Sequence, residues 1–301
     1  MRVGAIDIGT NTVRLLVADV ADGAIAVVER RAEVVALGEG VDRWGRLADE
    51  AIARTVARLA EYRAITAAHG VERLRVVATS ASRDADNSED FLDQAERVLG
   101  VRPEVIGGDE EAALSFRGAT SGLPGPGPTL VIDQGGGSTE FVVGDIEPVA
   151  FTSVDIGSVR LTERLFPDHP ASDEQVAAAA AVVAAMFASV AIPLAPVRAI
   201  GVGGTFTSLA AVHLGLTAYD PTLVHGSILT VDDLDELVTT LTRLTVDETQ
   251  AIPSLEPGRA PVLLGGAVVA REAARRSGLE EIIVSETDLL DGIAMQLGVE
   301  G

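Results

Sequence analysis

Val3-Gly4-Ala5-Ile6-Asp7-Ile8-Gly9-Thr10-Asn11-Thr12-Val13-Arg14-Leu15-Leu16-Val17-Ala18 reads as an apolar strand, a short polar turn containing glycine, and a second apolar strand. The pattern returns 126 positions later in Leu130-Val131-Ile132-Asp133-Gln134-Gly135-Gly136-Gly137-Ser138-Thr139-Glu140-Phe141-Val142-Val143. Asp7 is matched by Asp133, Gly9 by Gly135 and Thr12 by Ser138. Solenoid repeats have periods of about 20 to 50 residues, so a repeat at this distance marks a duplicated domain. Each copy is expected to form a hairpin tipped with glycine and hydroxyl groups.

Outward from these hairpins, the spacing predicts helices over 51–69 and 88–99 and strands over 73–79 and 104–106. Asp109 is placed as the cap of a helix that runs through Glu110, Glu111 and Leu114 towards Arg117. The alanine-rich stretch 176–192 stops at Pro193 and contains Ser189, so it reads as a packed helix and not as a membrane span. A strand, turn and helix cover 199–209, with later helices from Asp232, Pro261 and Asp288 and a strand over 282–284. Strands alternating with helices indicate an α/β architecture. The Gly/Pro-rich segment 122–128 is the natural boundary, which gives domains 1–125 and 126–301 with a cleft expected between them.

Composition removes several kinds of chemistry. The 301-residue chain is 47% hydrophobic and has no cysteine, so disulfides, thiolate-held zinc and a cysteine nucleophile are excluded. A reducing cytoplasm is the expected location, because Asp7 interrupts the apolar core that a signal peptide needs. All 23 basic residues are arginine, against 45 acidic ones, for a net charge of −22. Without lysine there is no P-loop lysine, no Schiff base and no Ser-x-x-Lys hydrolase. So acidic a surface, lacking a basic stripe, makes neither nucleic acid nor a membrane an expected partner.

Glycine-rich turns after strands let backbone N–H groups converge on an anion, and phosphate is the natural ligand. Thr10, Asn11 and Thr12 form one such turn, and Gly135, Gly136, Gly137 and Ser138 form its copy. Gly203, Gly204 and Thr205 form a third. An ordinary hairpin is the competing reading for any one of them alone. Asp133 and Glu140, at the two ends of one hairpin, suit Mg²⁺, which takes one or two carboxylates and fills its shell with water and phosphate oxygens. Glu140 could equally be an exposed strand residue. Arg83, beyond the strand that ends near Thr79, is placed either as a phosphate clamp or as an ion-pair partner of Asp84 or Asp86. The Asp109-Glu110-Glu111 cluster either complements a helix dipole or holds a general base. His69, His169, His213 and His225 are isolated and show no ligand spacing.

Four ordered motifs are Asp7-x-Gly9-Thr10-Asn11-Thr12, Ala78-Thr79-Ser80-Ala81-x-Arg83-Asp84-Ala85, Gly108-x-Glu110-Glu111-Ala112 and Asp133-x-Gly135-Gly136-Gly137-Ser138-Thr139-Glu140. Together they resemble the exopolyphosphatase / guanosine pentaphosphate phosphatase family over nearly the whole chain. The resemblance implies two duplicated ribonuclease-H-like (actin-like) domains and hydrolysis of the terminal phosphate of inorganic polyphosphate. It implies Glu111 as the general base, Arg83 as a phosphate-binding catalytic residue, and Asp133 and Glu140 as the carboxylates that hold Mg²⁺.

Two positions depart from the family pattern: Gln134, where an aliphatic residue is usual, and Arg259-Ala260-Pro261, where many relatives have Arg-x-Asp. The chain also lacks the helical C-terminal domains of longer members, so a preference for short polyphosphate is expected, and a homodimer is expected as well. The alternatives are a guanosine pentaphosphate phosphohydrolase, a non-catalytic guanosine tetraphosphate sensor, and an ATP-dependent kinase that would need a nucleotide pocket at 203–205.

Overall fold

The computed structural model describes residues 1–21 and 23–299. Its chain forms two compact units, Met1–Gly118 with Asp288–Gly301, and Ala119–Thr287. In the first, β1 (Arg2–Ile8), β2 (Thr12–Ala21) and β3 (Ala24–Val34) form an antiparallel meander. After α1 (Val41–Trp44) and α2 (Asp49–Ala68), β4 (Arg73–Ala78) pairs parallel to β1. After α3 (Ser80–Asp84) and α4 (Ser88–Leu99), β5 (Glu104–Val105) pairs parallel to β4, and α5 (Gly108–Gly122) follows. The sheet order is β3-β2-β1-β4-β5.

The second unit repeats this plan. The antiparallel meander is β6 (Thr129–Gln134), β7 (Thr139–Gly144) and β8 (Pro148–Val154). Beyond α6 (Ser158–Leu165) and α7 (Asp173–Phe187), β9 (Arg198–Val202) pairs parallel to β6. Next come α8 (Gly204–His213), α9 (Pro221–Val224), β10 (Ile228–Thr230), α10 (Val231–Thr242), α11 (Val246–Gln250) and α12 (Ala260–Ser277). The strand β11 (Glu281–Val284) pairs parallel to β9, and β10 adds an antiparallel edge. The order β8-β7-β6-β9-β11 matches the first sheet strand for strand. This is the ribonuclease-H-like arrangement in duplicate.

The near-continuous apolar runs of the central strands follow from burial on both faces. Ile6 and Ile8 of β1 pack with Leu59 and Tyr62 of α2 and Phe91 of α4, whereas Val3 and Ala5, pointing oppositely, pack with the last helix, α13 (Leu289–Val299). In the second unit α12 is buried on nearly every side, and its Gly265 and Gly266 let it approach α6 and Thr205. Among the described residues no helix is long and apolar enough to cross a membrane.

The expected division at 125/126 differs from the observed units. The Gly/Pro-rich segment is tied into the second unit: Pro128 accepts from Val197 N–H at 2.9 Å and Leu123 accepts from Arg198 Nη1 at 2.7 Å. The C-terminal segment belongs with the first unit because Leu289, Leu290, Ile293, Ala294 and Leu297 cover one face of its sheet. There α13 crosses α5 backbone to backbone: a Cβ on Gly118 would overlap the Asp288 carbonyl, and one on Gly292 the Leu114 carbonyl. Gly292→Ala should therefore destabilise the first unit by about 1 to 3 kcal/mol, as overpacked positions do. Faster amide exchange in β1 and β2, with β6 and β7 unchanged, is the expected readout.

Candidate active site

Both hairpins close on the same backbone bond. Gly9 N–H donates to Thr12 O and Gly135 N–H donates to Ser138 O, each at 3.0 Å. The carbonyls at each tip turn back into the fold. Thr10 O accepts from Gly38 N–H at 2.8 Å, and Asn11 O accepts from Val35 and Ala36 N–H, both at 2.9 Å. In the second unit Gly135 O accepts from Ser158 N–H at 3.1 Å, and Gly136 O from Val159 and Arg160 N–H at 2.9 and 3.2 Å. These donors are the first amides of α6, which would otherwise lack partners. Gly157 is required here, since a Cβ would overlap the Gly135–Gly136 backbone at about 2.5 Å. The expectation that every amide from Gly135 to Ser138 faces a ligand needs one correction: the Gly135 N–H is consumed inside the turn.

The strand positions behind the tips differ between the copies. In the β1/β2 ladder Asp7 stands opposite Arg14, and in the β6/β7 ladder Asp133 stands opposite Glu140. Asp7, 3% exposed, takes Nε and Nη2 of Arg14 on Oδ2 at 2.9 and 2.7 Å. Burial pushes the Asp7 carboxyl above the usual carboxylate range, and Arg14 pulls against that shift. Arg14 also pairs with Asp288, which precedes α13 and accepts from Leu290 N–H at 3.0 Å. The cation that Asp7 faces is thus an arginine of its own hairpin.

Asp133 and Glu140 are 8% and 1% exposed, so Glu140 is no surface strand residue. Directly opposed carboxylates repel, and a cation between them offsets that repulsion. Ser153 Oγ donates to Glu140 Oε1 at 2.7 Å and orients it. A Cβ built on Gly203 (φ 96°) would lie 3.4 Å from Asp133 Oδ1, which places the 203–205 turn against this carboxylate. The second unit thus brings together Asp133, Glu140, the 136–138 tip, Gly203, Gly204 and Thr205. This all-oxygen carboxylate pair fits Mg²⁺; among the described residues no cluster of three or more His, Asp or Glu forms a fuller cage.

In the first unit Arg83, on α3, donates from Nη1 to Glu111 Oε2 at 2.8 Å and to Ile106 O at 2.9 Å. Its ion-pair partner is Glu111, and Asp84 accepts instead from Ser80 Oγ at 3.3 Å. Glu110 turns away to Arg75 at 2.5 Å, while Glu111 is buried with its carboxyl oriented by Arg83. Helix α5 begins at Gly108, so Asp109 lies in the first turn and is not the cap. The tip at Thr10 joins this group through Gly38, where an added Cβ would overlap the Thr10 side chain and approach Ala81 Cβ of α3 to 3.1 Å.

Arg259, noted in the sequence only as part of the Arg259-Ala260-Pro261 departure, is a residue to which sequence reasoning gave no role. Its guanidinium lies against Gly204 so closely that no Cβ fits there, and Glu256 Oε2 stands 3.6 Å from its Nε. Neither that departure nor the absence of lysine links it to the turn it covers, 55 residues away. Gln134, the other departure, does not disturb its strand. It pairs with Thr139, and its Nε2 donates to Gly266 O at 2.9 Å.

The duplicated sheets and duplicated Gly–hydroxyl turns define the class, a two-domain protein of the ribonuclease-H-like, actin-like type. The chain belongs to the Ppx/GppA phosphatase family, whose profile matches residues 16–298. It is 45% identical to exopolyphosphatase 2 of Mycobacterium tuberculosis over 98% of both chains. A crystal structure of an exopolyphosphatase-like protein superposes with a TM-score of 0.93 at 40% identity, covering 99% of this chain and 98% of that one. The Aquifex aeolicus family member superposes at 0.84 with 33% identity, covering 100% and 98%.

Arg14→Met should destabilise the protein by about 3 to 5 kcal/mol at neutral pH, because it strands a buried carboxylate. The raised Asp7 group is most stable protonated, so its contribution is fully present below its unfolded value and is lost as pH rises through its folded one. The penalty relative to wild type should therefore shrink as pH falls towards the ordinary carboxylate range, and Asp7→Asn added to Arg14→Met should restore part of it. Urea titrations over a pH series measure this.

Proposed function

We propose that the protein is an exopolyphosphatase that hydrolyses the terminal phosphate of inorganic polyphosphate, with short chains preferred. The observation that carries this reading is the pairing of Glu111 with Arg83 in one unit and of Asp133 with Glu140 in the other, each beside its own Gly–hydroxyl turn. Phosphoryl transfer asks a protein chiefly to position groups and to neutralise charge spread over the equatorial oxygens.

Thr10, Asn11 and Thr12 and the amides of 136–138 donate to phosphate oxygens, and the start of α8 at Gly204 and Thr205, with Arg259 beside it, adds positive character. Arg83 holds the Glu111 carboxyl in place and presents its guanidinium to the phosphoryl group. Glu111 orients the attacking water and takes its proton. Asp133 and Glu140 would hold Mg²⁺, which would supply positive charge to offset that of the phosphoryl group. Guanosine pentaphosphate hydrolysis uses the same residues with a different leaving group. A kinase reading has no observation in its favour, and a sensor would not need Glu111 oriented by Arg83.

Phosphate release from polyphosphate, guanosine pentaphosphate and ATP, each with and without Mg²⁺, tests the reading: turnover of ATP alone would overturn it. Glu111→Gln should lower turnover by about 10²- to 10⁴-fold, as loss of a general base does. Glu110→Gln, which releases only Arg75, should stay near wild type, and the reverse result would move the base to Glu110. Asp133→Asn and Glu140→Gln should each shift the Mg²⁺ midpoint of activity upward. An unchanged midpoint in both would return these carboxylates to structural roles.

A further inference from the structure

A sheet edge presents N–H and C=O groups with no strand beside them, and folded proteins guard such edges by keeping them short, charged or interrupted by proline. Among the described residues the two sheets have four edge strands, β3 and β5 in the first unit and β8 and β10 in the second. Three of them are guarded. β5 has two residues and β10 three, while the long β3 carries Glu29, Arg30, Arg31 and Glu33. β8 differs, because its seven residues, Pro148–Val154, include no charge. Its one guard is Pro148, which removes an N–H only at the first position and leaves 149–154 open to pairing.

The pleat divides the side chains of this edge. Ala150 and Val154 pack into the core of the second unit, whereas Val149 and Phe151 point the other way and are 63% and 50% exposed. In the turn before the strand, Ile146 is 87% exposed. An apolar, uncharged edge of this length is a template for a further strand. The acids around it select which strand. Asp145 and Glu147 precede β8 and Asp155 follows it, all three exposed, with Arg160 Nη1 3.8 Å from the Asp155 carboxylate. A second copy pairing antiparallel, with Phe151 opposite Phe151, would set Glu147 against Asp155 at both ends, and opposed like charges destabilise a strand pair. The net charge of −22 on each chain adds to that repulsion. An extended segment with a basic residue at each end meets opposite charge at the same places.

We infer that β8 is a docking edge for an extended cationic segment of another protein, which adds to the six-stranded sheet as a seventh strand. The segment lies along 149–154 and sets apolar side chains at alternate positions beside Val149 and Phe151. Its terminal Arg or Lys residues meet Asp155 at one end and Asp145 and Glu147 at the other. Main-chain bonds supply the affinity, and the end charges choose the partner. None of these residues belongs to the proposed phosphate or metal sites, so the docking edge stands or falls apart from the proposed hydrolysis.

The probe is a synthetic peptide, Arg-Val-Thr-Val-Thr-Val-Arg with blocked ends, titrated into the full chain at fixed ionic strength. It should bind saturably by calorimetry and slow amide exchange in β8 while leaving β3 unchanged. A peptide with glutamate in place of both arginines, and one that keeps the arginines but has proline at alternate positions, should each bind about tenfold more weakly or worse. Phe151→Glu and Val149→Glu, both at exposed positions, should weaken the arginine peptide to the same degree with urea midpoints near wild type. Absence of saturable binding overturns the proposal, as does unchanged affinity in both variants. Equal binding of the proline peptide reduces the effect to attraction by an acidic surface, and equal binding of the glutamate peptide removes the charge selection; either result overturns it. A concentration-dependent dimer in sedimentation that Phe151→Glu abolishes gives the edge to a second copy and overturns it too.

Discussion

A turn that must close two strands and still face its N–H groups outward has to dispose of its own carbonyls, and both tips meet that constraint alike. Gly9 and Gly135 donate within the turn, and the following carbonyls are taken by amides from elsewhere in the same unit. The donors differ in origin. The first unit uses Val35, Ala36 (φ 48°) and Gly38, in the turn that follows the long strand β3, and the second uses the opening amides of α6. Buried backbone groups must be paired, so the two solutions set where the chain goes next. The loop bearing Trp44 and the helix bearing Arg160 are placed by what the tips need.

Behind this shared turn, one substitution separates the copies. With Arg14 opposite it, Asp7 is compensated from within, and Arg14 reaches on to Asp288 and so fastens α13 to the hairpin. Arg30 to Asp291, at 2.6 Å, repeats that fastening on the neighbouring strand. With Glu140 in the corresponding position, the second hairpin keeps two carboxylates face to face. Duplication gave two equivalent hairpins; charge made one a structural anchor and left the other with the opposed carboxylates that are proposed to hold a divalent cation.

The duplication, both hairpins and most helices were legible because periodicity and repeated spacing are local signals. The assignment of α13 to the first unit was not, since its apolar face fits any covered sheet and only the fold decides which one. The site was legible to the extent that its residues sit in turns adjoining strands. Glu111 could not be separated from Glu110 by sequence position; the helix turns one towards Arg83 and the other towards Arg75. The packing of Arg259 on Gly204 was not legible, because a glycine announces nothing about what lies against it.

On the proposed reading, arginines already held by carboxylates explain how so acidic a protein would accept a polyanion. Arg83 is held by Glu111, and Arg259 stands near Glu256. Long-range steering by a surface of net charge −22 works against phosphate, and salt limits its reach to a Debye length of about 8 to 10 Å. Attraction must therefore be short-ranged and already in position. A guanidinium fixed by a carboxylate has lost its rotamer freedom before the ligand arrives, so little ordering remains to be done on binding. The same carboxylates weaken the field beyond the site. On the proposed exopolyphosphatase reading, charge concentrated at a chain end close to the turns would then be favoured over charge spread along a chain, and the acidic exterior would select where on a polyanion the protein binds.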